Sequence, residues 1–426
     1  MSETVAAVVM AAGLGTRMRS ATPKHLHPLL GRRVVDWVID AARGAGASPI
    51  IVVTSPGASD SFGGLDVAVQ HEPLGTGDAV RAARVRLDSL RGDVLVLSGD
   101  TPLLTAEVLG GLVETHRRER AAATVLSFEP PDPRAYGRIV RDGGGRVARI
   151  VEAADATPDE LELREVNSSI YVFAADMLWP ALDRLEQHNA QGELYLTDAV
   201  GFLVGDGATV AVHVAPDPLD AEGVNTRVEL ANAAAALRDR VNERHMLAGV
   251  TIVDPRTTWI DAGVEIEPDV TIHPFTVVRG EVRIASGVEI GTFAYIRPGT
   301  MVGEAAKIGS FVEVKNTTVG ARTKIPHLSY IGDAEIGEET NIAAGNITAN
   351  FKHEPGQPKA RTRIGRNVRT GVDNTFDAPI EVGDDAWLAP GAVITDDVPP
   401  GSLAGFAPRQ ITKEGWVYDK HRNRDD

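Results

Sequence analysis

A chain of 426 residues exceeds what one ordinary hydrophobic core supports, so two domains are expected. Its formal charge of -16 argues against nucleic acid or an anionic membrane as partner, and an acidic protein that binds phosphates needs local cations and a divalent metal to offset its own field. The absence of cysteine excludes disulfides, thiolate metal sites and a thiol nucleophile.

The first apolar run, residues 5–12, is far too short for a secretion signal or a membrane span, so a cytoplasmic protein without membrane insertion is expected. Apolar, β-branched runs at 5–10, 50–54, 94–98, 123–128 and 170–173 alternate with helical stretches. Such continuous runs predict strands buried on both faces, hence a mostly parallel sheet in an α/β domain over residues 1–227. At Thr226 the pattern changes. Thr226 and Glu229 have capping-box spacing, an Ala- and Leu-rich stretch runs to Leu247, and Gly249 is placed to stop it. Residues 228–249 read as a linker helix, and a last helix of the first domain fits the same residues equally.

From Ile260 to Val314 ten Ile or Val residues stand at six-residue steps. Neither the helical nor the strand period gives this; a hexapeptide step is the signature of a parallel β-helix, each repeat forming one side of a triangular coil. The phase slips at Val319 and at Ile336, then resumes as Ile364, Thr370, Phe376, Val382, Leu388 and Ile394. Residues 351–362, with Pro and Lys, break the register and read as a loop protruding from the coil. The β-helix is assigned to residues 250–411, with a tail at 412–426.

Chemistry-bearing residues fall into two sets. Met10-Ala11-Ala12-Gly13-Leu14-Gly15-Thr16-Arg17-Met18 follows the first strand and leads to Pro23-Lys24. Glycines there let backbone N–H groups approach a phosphate. A dinucleotide fingerprint looks similar, but Met18 replaces its third glycine, while Arg17 and Lys24 add cations that a triphosphate requires. Asp100 ends the run 94–98 at the strand tip where open α/β sheets bind ligands, although an Asp there also suits a helix cap. In the second half, Arg297, Lys315 and the region of Asp333 recur at about one coil (~18 residues) and so align on one face. Stacked cations repel, which favours an anion site over a ladder of solvated surface charge.

Together these motifs resemble the bifunctional N-acetylglucosamine-1-phosphate uridylyltransferase/glucosamine-1-phosphate acetyltransferase family (GlmU), over nearly the entire chain. Its further markers here are Pro73-Leu74-Gly75-Thr76-Gly77, Ser98-Gly99-Asp100, Tyr136-Gly137-Arg138-Ile139, Val151-Glu152, Leu194-Tyr195-Leu196-Thr197-Asp198 and Glu222-Gly223-Val224-Asn225. The resemblance implies a Rossmann-like nucleotidyltransferase domain, a linker helix and a left-handed parallel β-helix. It implies acetyl transfer from acetyl-CoA to glucosamine 1-phosphate, then uridylyl transfer from UTP to the N-acetylated product. By it, Asp100 and Asn225 hold Mg²⁺, and Arg17 and Lys24 are catalytic cations on the triphosphate and sugar phosphate. Ala11, Ala12, Gly13, Gln70, Gly75 and Thr76 contact the nucleotide, and Gly137, Glu152, Asn167, Tyr195, Thr197 and Asn225 the sugar.

In the β-helix the resemblance places the acceptor at Arg297, Lys315, Tyr330, Asn341 and Asn350, and makes His327 the general base. Lys359, Arg361 and Lys413 are candidate cations for acetyl-CoA. A homotrimer through the β-helix, with the acyl site between neighbours, is also implied, and small molecules are the only other partners expected. Several residues depart from the family pattern. Asp78 stands for a common His, Ala154 for a Lys or polar residue, and Ser169 for the Gly of an Asn-Thr-Gly element. On the acyl-donor side Phe351 replaces a Tyr, Val372 a hydroxyl residue and Pro390 a small one, and the late arginine is displaced from Ala407 to Arg409. These changes leave open a nucleotidyltransferase whose β-helix serves only assembly.

Overall fold

The structure is a computed structural model that describes residues 4–13, 15–88, 90–133, 136–351, 356–405 and 412–414. Two compact units divide the chain between Leu237 and Arg238.

The first unit begins with β1 (Thr4–Ala11), a short hairpin of β2 (Pro28–Leu29) and β3 (Arg32–Arg33), α1 (Val34–Gly44), β4 (Ile50–Thr54) and β5 (Asp66–Val69). There follow α2 (Thr76–Ala82), α3 (Arg84–Leu87), β6 (Gly92–Ser98), α4 (Ala106–Glu119), β7 (Ala123–Phe128), β8 (Arg138–Arg141), β9 (Val147–Val151), α5 (Pro158–Leu161) and β10 (Val166–Ala174). α6 (Ala175–Leu182), α7 (Leu196–Gly205) and β11 (Val210–Val214) complete the layer. The strands form one sheet in the order β11-β7-β10-β6-β1-β4-β5, with β8 and β9 attached through β10. Because successive strand residues face opposite ways, Ala6 and Val8 meet α2, α6 and α7 on one side. Val5, Ala7 and Val9 meet α1 and α4 on the other. Burial on both faces explains why these strands read as unbroken apolar runs.

The expected mostly parallel sheet is corrected in one respect. β10, which contains residues 170–173, runs antiparallel to both β6 and β7. The chain between β7 and β10 is spent on the antiparallel β8–β9 hairpin rather than on a helix crossing the sheet, and β10 enters by pairing antiparallel with β8 at Val166 and Arg138.

α8 (Arg227–Leu247) begins with a reciprocal cap: Thr226 Oγ1 accepts from Glu229 N at 3.2 Å, and the Glu229 carboxylate accepts from Thr226 N at 2.8 Å. Gly249, with φ +98°, follows its end. Its C-terminal half docks on the first coil of the second unit through Asn242, whose amide donates to the Pro255 and Thr258 carbonyls.

That second unit is a left-handed parallel β-helix of three sheets, carrying five, eight and seven strands. Ile260 pairs onward to Val278, Ile296 and Val314 one coil apart. Of the six-step residues, Ile272, Ile290, Ile296, Ile308 and Val314 are wholly buried, while Ile266 is only partly so. Each such burial contributes roughly 1.5–3 kcal/mol. This offsets corners such as Asn316, Arg322 and Asp333, whose left-handed φ costs about 1–2 kcal/mol per non-glycine residue. The phase slip at Val319 is a coil shortened to the pairing of Val302 with Val319. The break after Phe351 is an insertion in the chain, since Ile336 next pairs with Ile364; of the expected loop, residues 352–355 lie outside the described residues. Thr362, counted in that loop from sequence, is instead buried in the strand Thr362–Ile364.

Candidate active sites

In the first unit the glycine-containing loop leaves β1 and turns back beneath Lys24. Gly15 takes φ +60°, and a Cβ there would lie 2.8 Å from Lys24 Cβ, so only glycine lets this lysine close over the loop. Lys24 Nζ donates to Asp100 Oδ2 and, at 3.0 Å, to Asn225 Oδ1, which also accepts from Arg17 at 3.0 Å. Asp100 is fixed from its other side by Ser98 Oγ at 2.6 Å. Its backbone carbonyl accepts from Val224 N at 2.8 Å, which ties the 222–225 segment to the strand tip. Burial pushes the Asp100 carboxyl up, but the Lys24 ammonium and the hydrogen bonds from Lys24 and Ser98 outweigh it and hold the group below the usual carboxylate range. Two oxygen donors thus converge on one cationic atom.

Gly75 and Gly77 are demanded by close approach. A Cβ on Gly75, with φ +118°, would meet Leu194 O at 2.7 Å, and one on Gly77 would meet Leu185 Cδ1 at 2.2 Å. That approach brings Thr76 Oγ1 within 3.0 Å of Leu196 N at the start of α7, joining the nucleotide-side motif to the sugar-side one. Gln70, at the tip of β5, is buried and donates to Gly75 O at 3.0 Å.

A cavity of about 130 Å³ lined by Met10, Thr76, Glu152, Ser169, Tyr195 and Thr197 lies beside this junction. Glu152 accepts from Thr197 Oγ1 at 3.1 Å. Burial pushes its carboxyl up, against that hydrogen bond and with help from Asp198, Asp155 and Glu193. A Cβ on Gly137 would stand 3.3 Å from Glu152 Oε2, so this glycine leaves the carboxylate face open. Both ends of the Asn167 amide are occupied, with Tyr171 Oη at 2.7 Å and Ser169 N at 3.1 Å. Asn167 therefore braces the turn in which Ser169 carries φ +62°, the conformation for which the family pattern uses Gly.

In the second unit Lys315 and Asn350 converge on Asp333. Lys315 Nζ lies 3.9 Å from the Asp333 carboxylate, which accepts from Asn316 at 2.5 Å and from Asn350 Nδ2. Asn350 also donates to Tyr330 Oη at 3.3 Å, across the bare Cα of Gly332. The Lys359 ammonium beside Lys315 holds it below the usual lysine value, with burial acting in the same sense and Asp333 opposing. Arg297 is bound to Glu313 at 2.7 Å on the same sheet. In the sequence Asp333 is only the next step of the coil after Lys315. Its central place follows from its corner conformation, φ +52°, which sequence spacing does not reveal.

Not every expected residue joins this group. His327 ends the strand Lys324–His327 and is exposed, and Asn341 pairs with Lys324 and Arg369 in the neighbouring ladder. Arg361 is paired with Glu335 at 2.9 Å. Lys413 is exposed, and Ala407 and Arg409 lie outside the described residues. Beside His327, Leu328 continues an exposed ridge in which Phe275, Phe293 and Phe311 stack with centroids 4.9 and 5.1 Å apart.

A phosphate-type loop with paired oxygen donors on an α/β sheet, followed by a hexapeptide coil with its own polar cluster, defines an enzyme with two transferase domains. The family profile of the MobA-like NTP transferase domain matches residues 7–198, and the bacterial transferase hexapeptide matches residues 263–298. The chain is 43% identical to the bifunctional protein GlmU of Pelobacter propionicus over 97% of its own length and 98% of the relative's. It is 44% identical to that of Mycobacterium tuberculosis over 97% and 92%. The chain belongs to the GlmU family, bifunctional enzymes with a nucleotidyltransferase and an acetyltransferase activity.

Proposed function

We propose that the β-helix site acetylates glucosamine 1-phosphate from acetyl-CoA, and that the α/β site then transfers UMP from UTP to the N-acetylated sugar phosphate with release of pyrophosphate. The observation that carries the second step is the convergence of Arg17, Lys24, Asp100 and Asn225 at the strand tips. An in-line attack by a phosphate oxygen on the α-phosphorus brings anions together. Arg17 and Lys24 offset that repulsion and the charge of the departing pyrophosphate.

Asp100 and Asn225 would hold Mg²⁺. They are hard oxygen donors that already point at a shared cationic atom, and Mg²⁺ sites use one or two such groups plus substrate phosphates. The ion supplies charge neutralisation at the phosphates when bound. Gln70, Gly75 and Thr76 face the base, with Ala11, Ala12 and Gly13 at the phosphates; Glu152, Thr197, Tyr195 and Gly137 face the sugar.

In acetyl transfer the substrate amine attacks the thioester carbonyl, its proton passes to His327, and coenzyme A leaves as the thiol after receiving a proton in return. Lys315, Lys359 and Arg297 bring three cations towards one neutral-to-acidic cradle of Tyr330, Asn350 and Asp333, an arrangement that an acceptor phosphate would relieve. His327 and Asn341 sit on another ladder, which supports a homotrimer in which neighbouring coils complete each acyl site; the exposed phenylalanine ridge beside His327 supports it too. Lys359, Arg361 and Lys413 would serve acetyl-CoA. A cytoplasmic location agrees with these soluble substrates, and no described helix is long and apolar enough to cross a membrane.

The test is a pair of assays on the full chain. Thiol release is followed with glucosamine 1-phosphate and acetyl-CoA, and pyrophosphate release with UTP, Mg²⁺ and N-acetylglucosamine 1-phosphate. Both are expected. Pyrophosphate release without thiol release would overturn the first step and leave a single nucleotidyltransferase with an assembly domain.

A further inference from the structure

We propose that Asp78 sets which base the nucleotide site accepts, by locking the side-chain amide of Gln70. The proposal rests on reading this site as one for nucleotidyl transfer and adds to it a specificity-determining residue.

Gln70 is only 7% exposed, so its amide cannot exchange partners with bulk water freely. Its Nε2 donates to Gly75 O at 3.0 Å and to Asp78 Oδ2 at 3.0 Å. A backbone carbonyl and a carboxylate can only accept, so the two bonds assign the amide without ambiguity: the nitrogen faces Gly75 and Asp78, and both its hydrogens are used. Turning the amide over would set Oε1 against two acceptors, one of them charged. Among the described residues no donor reaches Oε1. Gln70 follows β5 at the C-terminal edge of the sheet, where ligands of such sheets lie, so Oε1 is the group it has left for a base.

A lone, accessible acceptor asks the base for a donor. Uracil and thymine present N3–H on their pairing edge. Held in the same pose, cytosine presents a bare N3 to Oε1, acceptor to acceptor, and its N4 amino donor falls where uracil carries O4. A buried polar atom left without its partner rejects the wrong ligand far more strongly than a missing apolar contact does. Asp78, acting with the Gly75 carbonyl, therefore favours a protonated ring nitrogen at the position Oε1 faces. An acidic residue in the first turn of α2 also suits the helix dipole, but that benefit is indifferent to the base.

The experiment compares kcat/KM for UTP and CTP in the full chain, by pyrophosphate release, for the wild type, Asp78→Asn and Asp78→Ala. Either variant removes the charged one of the two acceptors and leaves only the Gly75 carbonyl to hold the amide, so reversal costs less, and Asn can donate to the reversed amide. The UTP-to-CTP ratio is expected to narrow by about tenfold to a hundredfold, the worth of a hydrogen bond to a charged group. A role confined to the helix would lower both nucleotides alike and leave the ratio fixed. An unchanged ratio in active variants overturns the lock alone. A wild type that releases pyrophosphate from neither nucleotide overturns the nucleotidyl-transfer reading, and the lock with it.

Discussion

Lys24 donates to the Asn225 amide oxygen at 3.0 Å, so a cation already stands between the two oxygen donors proposed for Mg²⁺. The ammonium neutralises the Asp100 carboxylate in the free enzyme and is positioned to turn to phosphate when substrate arrives. Asp100→Asn removes the charge and keeps the shape. Pyrophosphate release should fall at least about a hundredfold, the scale of losing one preorganised electrostatic partner. Thiol release should be unaffected, and chelation of divalent metal should reproduce the same split. Equal loss of both activities in a folded variant would contradict independent sites.

The acetyl site offers a steric test. A Cβ built on Gly332 lies 2.4 Å from Tyr330 Oη and 2.8 Å from Asn350 Nδ2. Gly332→Ala must therefore push both side chains aside. KM for glucosamine 1-phosphate in thiol release is expected to rise about tenfold or more, in line with one or two displaced hydrogen bonds. Pyrophosphate release should not change, which separates the effect from general misfolding.

Acid sensitivity should arise at His25 and at His245, whose pKa burial and the Arg244 charge likewise lower to about 4. Burial, followed by the neighbouring Lys24 charge, lowers the pKa of His25 from 6.5 to about 4, and its ring lies over Phe62. Above 6.5 both folded and unfolded states hold it neutral. As pH falls towards 4 the unfolded chain takes up the proton first, and stability drains by on the order of 3 kcal/mol. Chemical denaturation of the full chain across that window should show the loss, and His25→Leu should remove the share that belongs to His25 while that of His245 remains.

Assembly can be tested on the stacked ridge. Phe293 lies between Phe275 and Phe311 and is half-exposed. Phe293→Asp places a charge in the middle of an apolar surface. Light scattering should report monomers in place of the proposed trimers, with thiol release lost and pyrophosphate release retained. A trimer that survives the substitution would move the interface elsewhere on the coil.

Much of this protein was legible without coordinates because its signals are local or periodic. Burial of one β-branched residue per triangular side forces the six-residue step, so Ile272 to Val314 announce the coil directly. The glycine loop before Lys24 and the reciprocal Thr226–Glu229 cap are equally local, since each depends on residues a few positions apart. Tertiary structure alone decided the rest. The reversal of β10 depends on what precedes it, and the strand's composition is the same in either direction. The gathering of Asp333 with Lys315 and Asn350 depends on a left-handed corner and on the stacking of three successive coils. The lock between Asp78 and Gln70 depends on which end of an amide meets which acceptor. Sequence carries periodicity and local caps because they are written in neighbouring residues. It does not carry the long-range convergence of polar groups, because that is fixed only when separate turns of the chain are stacked.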